Sequence, residues 1–189
     1  MKNELETATL AGGCFWCTEA IFNMLKGVKS VLPGYAGGTI KNPFYQQVRW
    51  GDTGHAESIQ ILFDPKQISF EKILDVFWNI HDPTTLNQQG NDVGTQYRSV
   101  IFYHNNIQKM TAEKSKAELE KSKQYKDPIV TEIAPFTDFY AAEDYHKNYF
   151  ERNSQDPYCS FVIGPKIKKV LDKYGNDVKE EYKNPETIL

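Results

Sequence analysis

Residues 7–24 read TATLAGGCFWCTEAIFNM: a β-like run, two glycines, a cysteine, two large aromatics and an amphipathic helical pattern. A strand that passes through Gly12-Gly13 into a helix leaves Cys14 at the first turn, where unpaired backbone N–H groups and the positive end of the helix dipole favour an anion. An ordinary cysteine, with a pKa of about 8.5, is only roughly 3% ionised at pH 7. The motif therefore predicts an activated thiolate, with Cys14 as nucleophile. Most free cysteines are simply buried small hydrophobes. Here the glycines let backbone approach a ligand closely, and Phe15 and Trp16 can wall an apolar pocket beside the sulfur.

Apolar residues at steps of three and four (Cys17, Ile21, Met24, Leu25, Val28) extend the helix over 14–26, and Gly27 caps it. A strand is expected over 28–35. Residues 37–54 form a long loop carrying Phe44, Tyr45 and Trp50, which reads as a binding wall folded over the site. Residues 55–64 alternate as a strand with Ile59, Ile61 and Phe63 on one face, and Glu57 shares their parity. Ser69 caps the clearest helix, with Phe70, Ile73, Leu74, Phe77 and Trp78 at helical spacing. Residues 84–97 are a second polar loop, followed by a strand over 99–103 and a charged outer helix over 106–125, edged by Ile107 and Met110. A strand over 129–136 and a helix over 141–153 precede a C-terminal extension, 154–189, with one helical pattern near 167–174.

This order predicts an α+β fold, a two-layer sandwich rather than a doubly wound sheet, in a single domain covering 1–189. The formal charge of −3 lacks a basic footprint for nucleic acid. Three cysteines (Cys14, Cys17, Cys159) are too few and too oddly counted for a secreted disulfide scaffold, and neither a leader nor a membrane span is evident, so a cytoplasmic protein is expected. The four histidines are scattered, which argues against a metal site.

The CFWC spacing is also that of disulfide oxidoreductases. A thioredoxin-like dithiol exchange through Cys14 and Cys17 is therefore the alternative activity. Cys17 lies on the buried stripe and reads equally as structural or as a resolving thiol. Glu57 is either an ion-paired residue, with Arg49 or Arg98, or a carboxyl held protonated by an apolar pocket. Tyr45 and Tyr97 suit core, surface or donor roles, and Asp92 suits a turn.

Taken together, GGCFWCTEAIF, GYAGG, NPFYQQV, TGHAE, GNDVGTQYRS and AAEDYHKNY closely resemble the A-type peptide methionine sulfoxide reductases, over residues 10 to about 165. The resemblance implies a ferredoxin-like core within the sandwich. It implies Cys14 as nucleophile, Phe15 and Trp16 around the substrate's S-methyl group, and Glu57 as the acid. Tyr45 and Tyr97 would bind the sulfoxide oxygen, with Asp92 supporting them. It further implies reduction of methionine-S-sulfoxide, free or in oxidised proteins, by a monomer without a bound cofactor, and recycling of a disulfide by thioredoxin. Many members have glycine where Cys17 stands and two recycling cysteines in a glycine-rich tail. This chain has only Cys159 there, in PYCSFVIGPK, which is preferred as the resolving thiol, with Cys17 as rival one turn from Cys14.

Overall fold

A computed structural model describes residues 4–183. Its six-stranded sheet is built from β1 (Glu6–Gly12), β2 (Val28–Ala36), β3 (Ala56–Phe63), β6 (Ser99–Tyr103), β7 (Glu132–Pro135) and β8 (Phe139–Ala141). The strand order is β7-β6-β1-β3-β2-β8, with β6 and β7 parallel and every other pair antiparallel. A separate ribbon pairs β4 (Gln88–Gln89) with β5 (Asp92–Val93). Helices α1 (Phe15–Asn23), α2 (Tyr45–Trp50), α3 (Phe70–Ile80), α4 (Asn106–Ser122), α5 (Tyr149–Arg152) and α6 (Gly164–Tyr174) complete the α+β architecture.

Strand alternation divides the sheet into two faces. Leu10, Ile59, Ile61, Phe63 and Ile101 join residues from α1, α3 and α6 in the main core, whereas Ala11, Ala56, Val100 and Phe102 form a small cluster of opposite parity. Glu57 lies on the main-core side with Ile59, as its parity required, and is 2% exposed. The Ser69 hydroxyl caps α3 by accepting the Lys72 N–H at 3.2 Å.

Three expectations need correction. The loop 37–54 contains α2, whose N-terminus is closed by Gln47 reaching back to the Phe44 N–H and whose C-terminus ends on left-handed Gly51. Ile107 and Met110 do not form the packing edge of α4; they are 77% and 68% exposed, and the helix buries Gln108 and Ala112 instead. The helix expected over 141–153 is broken by Asn148 at φ +50° into a 3-10 turn (Asp144–His146) and the four-residue α5. The described part of the C-terminal extension is helical and packed: a π-helical turn (Cys159–Ile163) runs into α6, and Cys159 and Ile163 are buried in the main core. Among the described residues, no helix is long and apolar enough to cross a membrane.

Candidate active site

β1 turns into α1 through Gly13, at φ +88°, where a Cβ would meet the Gln89 side chain at 2.7 Å. Cys14 is the N-cap of α1 and Cys17 lies in the same first turn. Both cysteines are buried. Burial, reinforced by the Cys17 sulfur, raises the Cys14 thiol well above its ordinary value. The neighbouring Cys14 side chain draws Cys17 down to about 7. Burial and the neighbouring sulfur thus oppose ionisation of Cys14, against the pull of the helix start. A helix terminus contributes about 0.3–1 kcal/mol. Desolvation of a fully buried group can shift a pKa by as much as about 3–5 units, so burial wins.

Glu57 meets this turn from β3. Its Oε2 accepts the Phe15 N–H at 3.1 Å, so the carboxyl is anchored to the residue that follows the nucleophile. Burial raises its pKa to about 8, more than the Phe15 hydrogen bond lowers it. The ion-pair alternative fails in the described structure: Arg98 pairs with Glu132 at 3.5 Å. Tyr45, at the start of α2, and Tyr97, in the 3-10 turn Thr95–Tyr97, are half-buried near Glu57. Burial, then the Glu57 charge, pushes Tyr45 up to about 12 and Tyr97 upward as well, so both remain hydroxyl donors at neutral pH.

Aromatic rings build the wall. Trp16 stacks on Tyr149 with centroids 3.7 Å apart and planes within 6°, and its indole N–H donates to His146 Nδ1 at 3.0 Å. His146 is buried, its pKa is lowered to about 4 by desolvation, and its ring lies 4.4 Å from Tyr45 and 5.0 Å from Phe15. Glu143 ties two further pieces together, accepting from the Tyr35 hydroxyl and the Tyr45 N–H at 2.8 Å each. On the opposite side, the Tyr158 hydroxyl donates to Asp92 at 2.8 Å and lies 3.9 Å from Cys17 Sγ.

The structure therefore gathers Cys14, Cys17, Glu57, Phe15, Trp16, Tyr45, Tyr97 and Asp92 around one turn. Cys159 follows Tyr158 and sits fully buried behind it, its thiol raised to about 11 by burial. Spacing alone does not single out His146, Tyr158, Glu143, Tyr149 or Tyr35; their signal lies in the AAEDYHKNY, PYC and GYAGG blocks. Among the described residues, no group of three or more His, Cys, Asp or Glu side chains could hold a metal ion.

The arrangement can attack an electrophilic atom from Cys14 while a protonated carboxyl and two phenols hold an oxygen beside it. A family model described as peptide methionine sulfoxide reductase matches residues 6–179. The chain belongs to the peptide methionine sulfoxide reductases. It is 54% identical over 175 residues to peptide methionine sulfoxide reductase MsrA of Saccharolobus solfataricus, spanning 93% of this chain and 98% of that one. It is 55% identical over 178 residues to MsrA of Leptospira borgpetersenii, spanning 94% and 99%. Reduced Mxr1 from Saccharomyces cerevisiae superposes with a TM-score of 0.77 at 37% identity, covering 84% of this chain and 91% of that chain. Mxr1 in complex with Trx2 superposes at 0.54 with 27% identity, covering 79% and 87%.

Proposed function

We propose that this protein reduces methionine-S-sulfoxide, free or within oxidised proteins, to methionine, and is returned to its dithiol form by thioredoxin in the cytoplasm. The observation that carries this reading is the anchoring of a protonated Glu57 to the residue beside Cys14. A carboxyl with a pKa of about 8 holds a proton at neutral pH and can give it to a sulfoxide oxygen. Tyr45 and Tyr97, half-buried and protonated at neutral pH, can donate to that same oxygen, and the Phe15–Trp16–Tyr149 wall suits an S-methyl group.

Protonation makes the sulfoxide sulfur electrophilic. Cys14 attacks that sulfur, its thiol proton replacing the one that Glu57 has given up; the hydroxyl then passes to Cys14. The substrate sulfur gains two electrons and leaves as methionine, and Cys14 loses two and becomes a sulfenic acid. A neighbouring thiol displaces the hydroxyl as water to give a disulfide. Two protein thiols of the reductant reopen it by exchange, becoming a disulfide themselves. Cys17, in the same first turn as Cys14, is the candidate first resolving thiol, with the buried Cys159 as the alternative.

The fold supports the same reading. The path β1-α1-β2-β3-α3-β6, in spatial order β6-β1-β3-β2, is the ferredoxin-like arrangement of a two-layer sandwich. We assign residues 1–189 to one domain, since α6 and the 159–163 turn share the main core.

The decisive assay presents S and R epimers of a blocked methionine sulfoxide separately, with dithiothreitol as reductant, to the wild type and to Cys14→Ser. Methionine should form from the S epimer alone, and only with the wild type. Equal use of both epimers, or an active Cys14→Ser protein, would refute the assignment.

A further inference from the structure

Beside the sulfur pair, a groove of about 740 Å³ runs between the 79–92 segment and the C-terminal helical segment. That volume is within the range of about 300–1,000 Å³ occupied by ligand sites, and far more than one methionine side chain fills. The groove and the reaction centre share two walls, Asp92 and Tyr158. A polypeptide whose methionine reaches Cys14 can leave past those two side chains and lie along this groove.

Its lining carries two carboxylates and two lysines. Asp92 accepts the Tyr158 hydroxyl, and Asp82 accepts both the N–H and the hydroxyl of Thr84 at 2.9 and 2.6 Å. Lys166 and Lys169 also line the groove, three residues apart on one face of α6. Among the described residues, neither forms an ion pair with a carboxylate, although eight lysine or arginine pairs with carboxylates are made elsewhere. Phe161, 81% exposed, offers an apolar rim to a passing chain.

We propose that this groove binds the polypeptide flanking the oxidised methionine, with Lys166 and Lys169 selecting substrates that carry an acidic residue next to it. The inference rests on the reductase reading above and adds a sequence preference to it.

The test uses capped peptides with a single methionine-S-sulfoxide flanked on both sides by Glu, Gln or Lys, with dithiothreitol as reductant. Blocked methionine sulfoxide serves as the reference substrate. The wild type should favour the Glu peptide over the Lys peptide by about tenfold in kcat/KM, mainly through KM, as the half-buried Lys166 and the exposed Lys169 attract one and repel the other. Lys169→Glu should bring that ratio to about one, and Lys166→Gln with Lys169→Gln should reduce it similarly; the ratio within each variant is the readout. A wild-type ratio of one, or a ratio unchanged by both variants, overturns the proposal. If both variants keep the ratio but lose thioredoxin-driven turnover, the groove belongs to the reductant instead, which also overturns it. Failure to reduce the reference substrate would sink the reductase reading, whereas its reduction without a charge preference sinks only this inference.

Discussion

Glu57 Oε2 accepts the backbone N–H of Phe15 at 3.1 Å, which fixes a buried carboxyl to the residue following the nucleophilic cysteine. Acid and nucleophile are thereby held by one hydrogen bond across a strand and a helix start, and neither can drift without disturbing the other.

Replacing Glu57 with Gln removes the transferable proton and keeps the hydrogen bond to Phe15. We expect kcat to fall by about 10²- to 10⁴-fold with the fold intact. In the wild type, the acid-dependent step should weaken as pH rises through about 8, where Glu57 ionises. A stopped assay across pH 6–9, on the order of one point per half unit, measures both.

The same carboxyl makes a stability prediction of opposite sense. Its pKa rises from the ordinary 4.5 to about 8 on folding, so between those values the folded protein keeps a proton that the unfolded chain has lost. Its contribution is intact below pH 4.5 and declines as pH rises through about 8. Glu57→Gln should consequently be more stable than the wild type at pH 8.5 and nearly equal to it at pH 4, as read from urea unfolding midpoints at each pH.

Trp16→Phe deletes the indole N–H that binds His146 and shortens the stack on Tyr149. Loss of a hydrogen bond and of part of an aromatic pair, together about 1–2 kcal/mol, should raise KM roughly tenfold. Steady-state kinetics on blocked methionine sulfoxide should show kcat changing much less than KM.

Gly13→Ala forces a Cβ against Gln89 at a backbone angle that L-residues rarely adopt. Gln89 clamps the 82–92 loop through the Asp82 N–H and carbonyl. A loss of about 1–3 kcal/mol is expected, together with weaker activity, since that loop carries Asp92. Thermal unfolding and kcat/KM on one preparation test the pair of effects.

Much of this was readable in the residues because local chemistry and tertiary packing agree. Ser69 caps α3, β6 spans Ser99–Tyr103 as its apolar run indicates, and the odd parity of Glu57 put it among Ile59, Ile61 and Phe63. What escaped lacked a periodic signal. α2 is six residues long, too short to show a stripe, and is held by Gln47 and Gly51 at its ends. α4 packs through Gln108, Ala112 and Leu119, so its large apolar residues Ile107 and Met110 mislead. The protonation of Cys14 depends on how deeply the aromatics bury it, and spacing carries no measure of depth. The Tyr158–Asp92 contact joins residues 66 positions apart, beyond any local pattern.

A single-turnover experiment bears most directly on the claim that the Cys14 sulfur takes the oxygen. The double variant Cys17→Ser, Cys159→Ser, given one equivalent of methionine-S-sulfoxide without reductant and then a sulfenic-acid trap, should yield close to one methionine per chain and a trapped adduct on Cys14. No methionine, or methionine formed with Cys14 unmodified, would contradict the account.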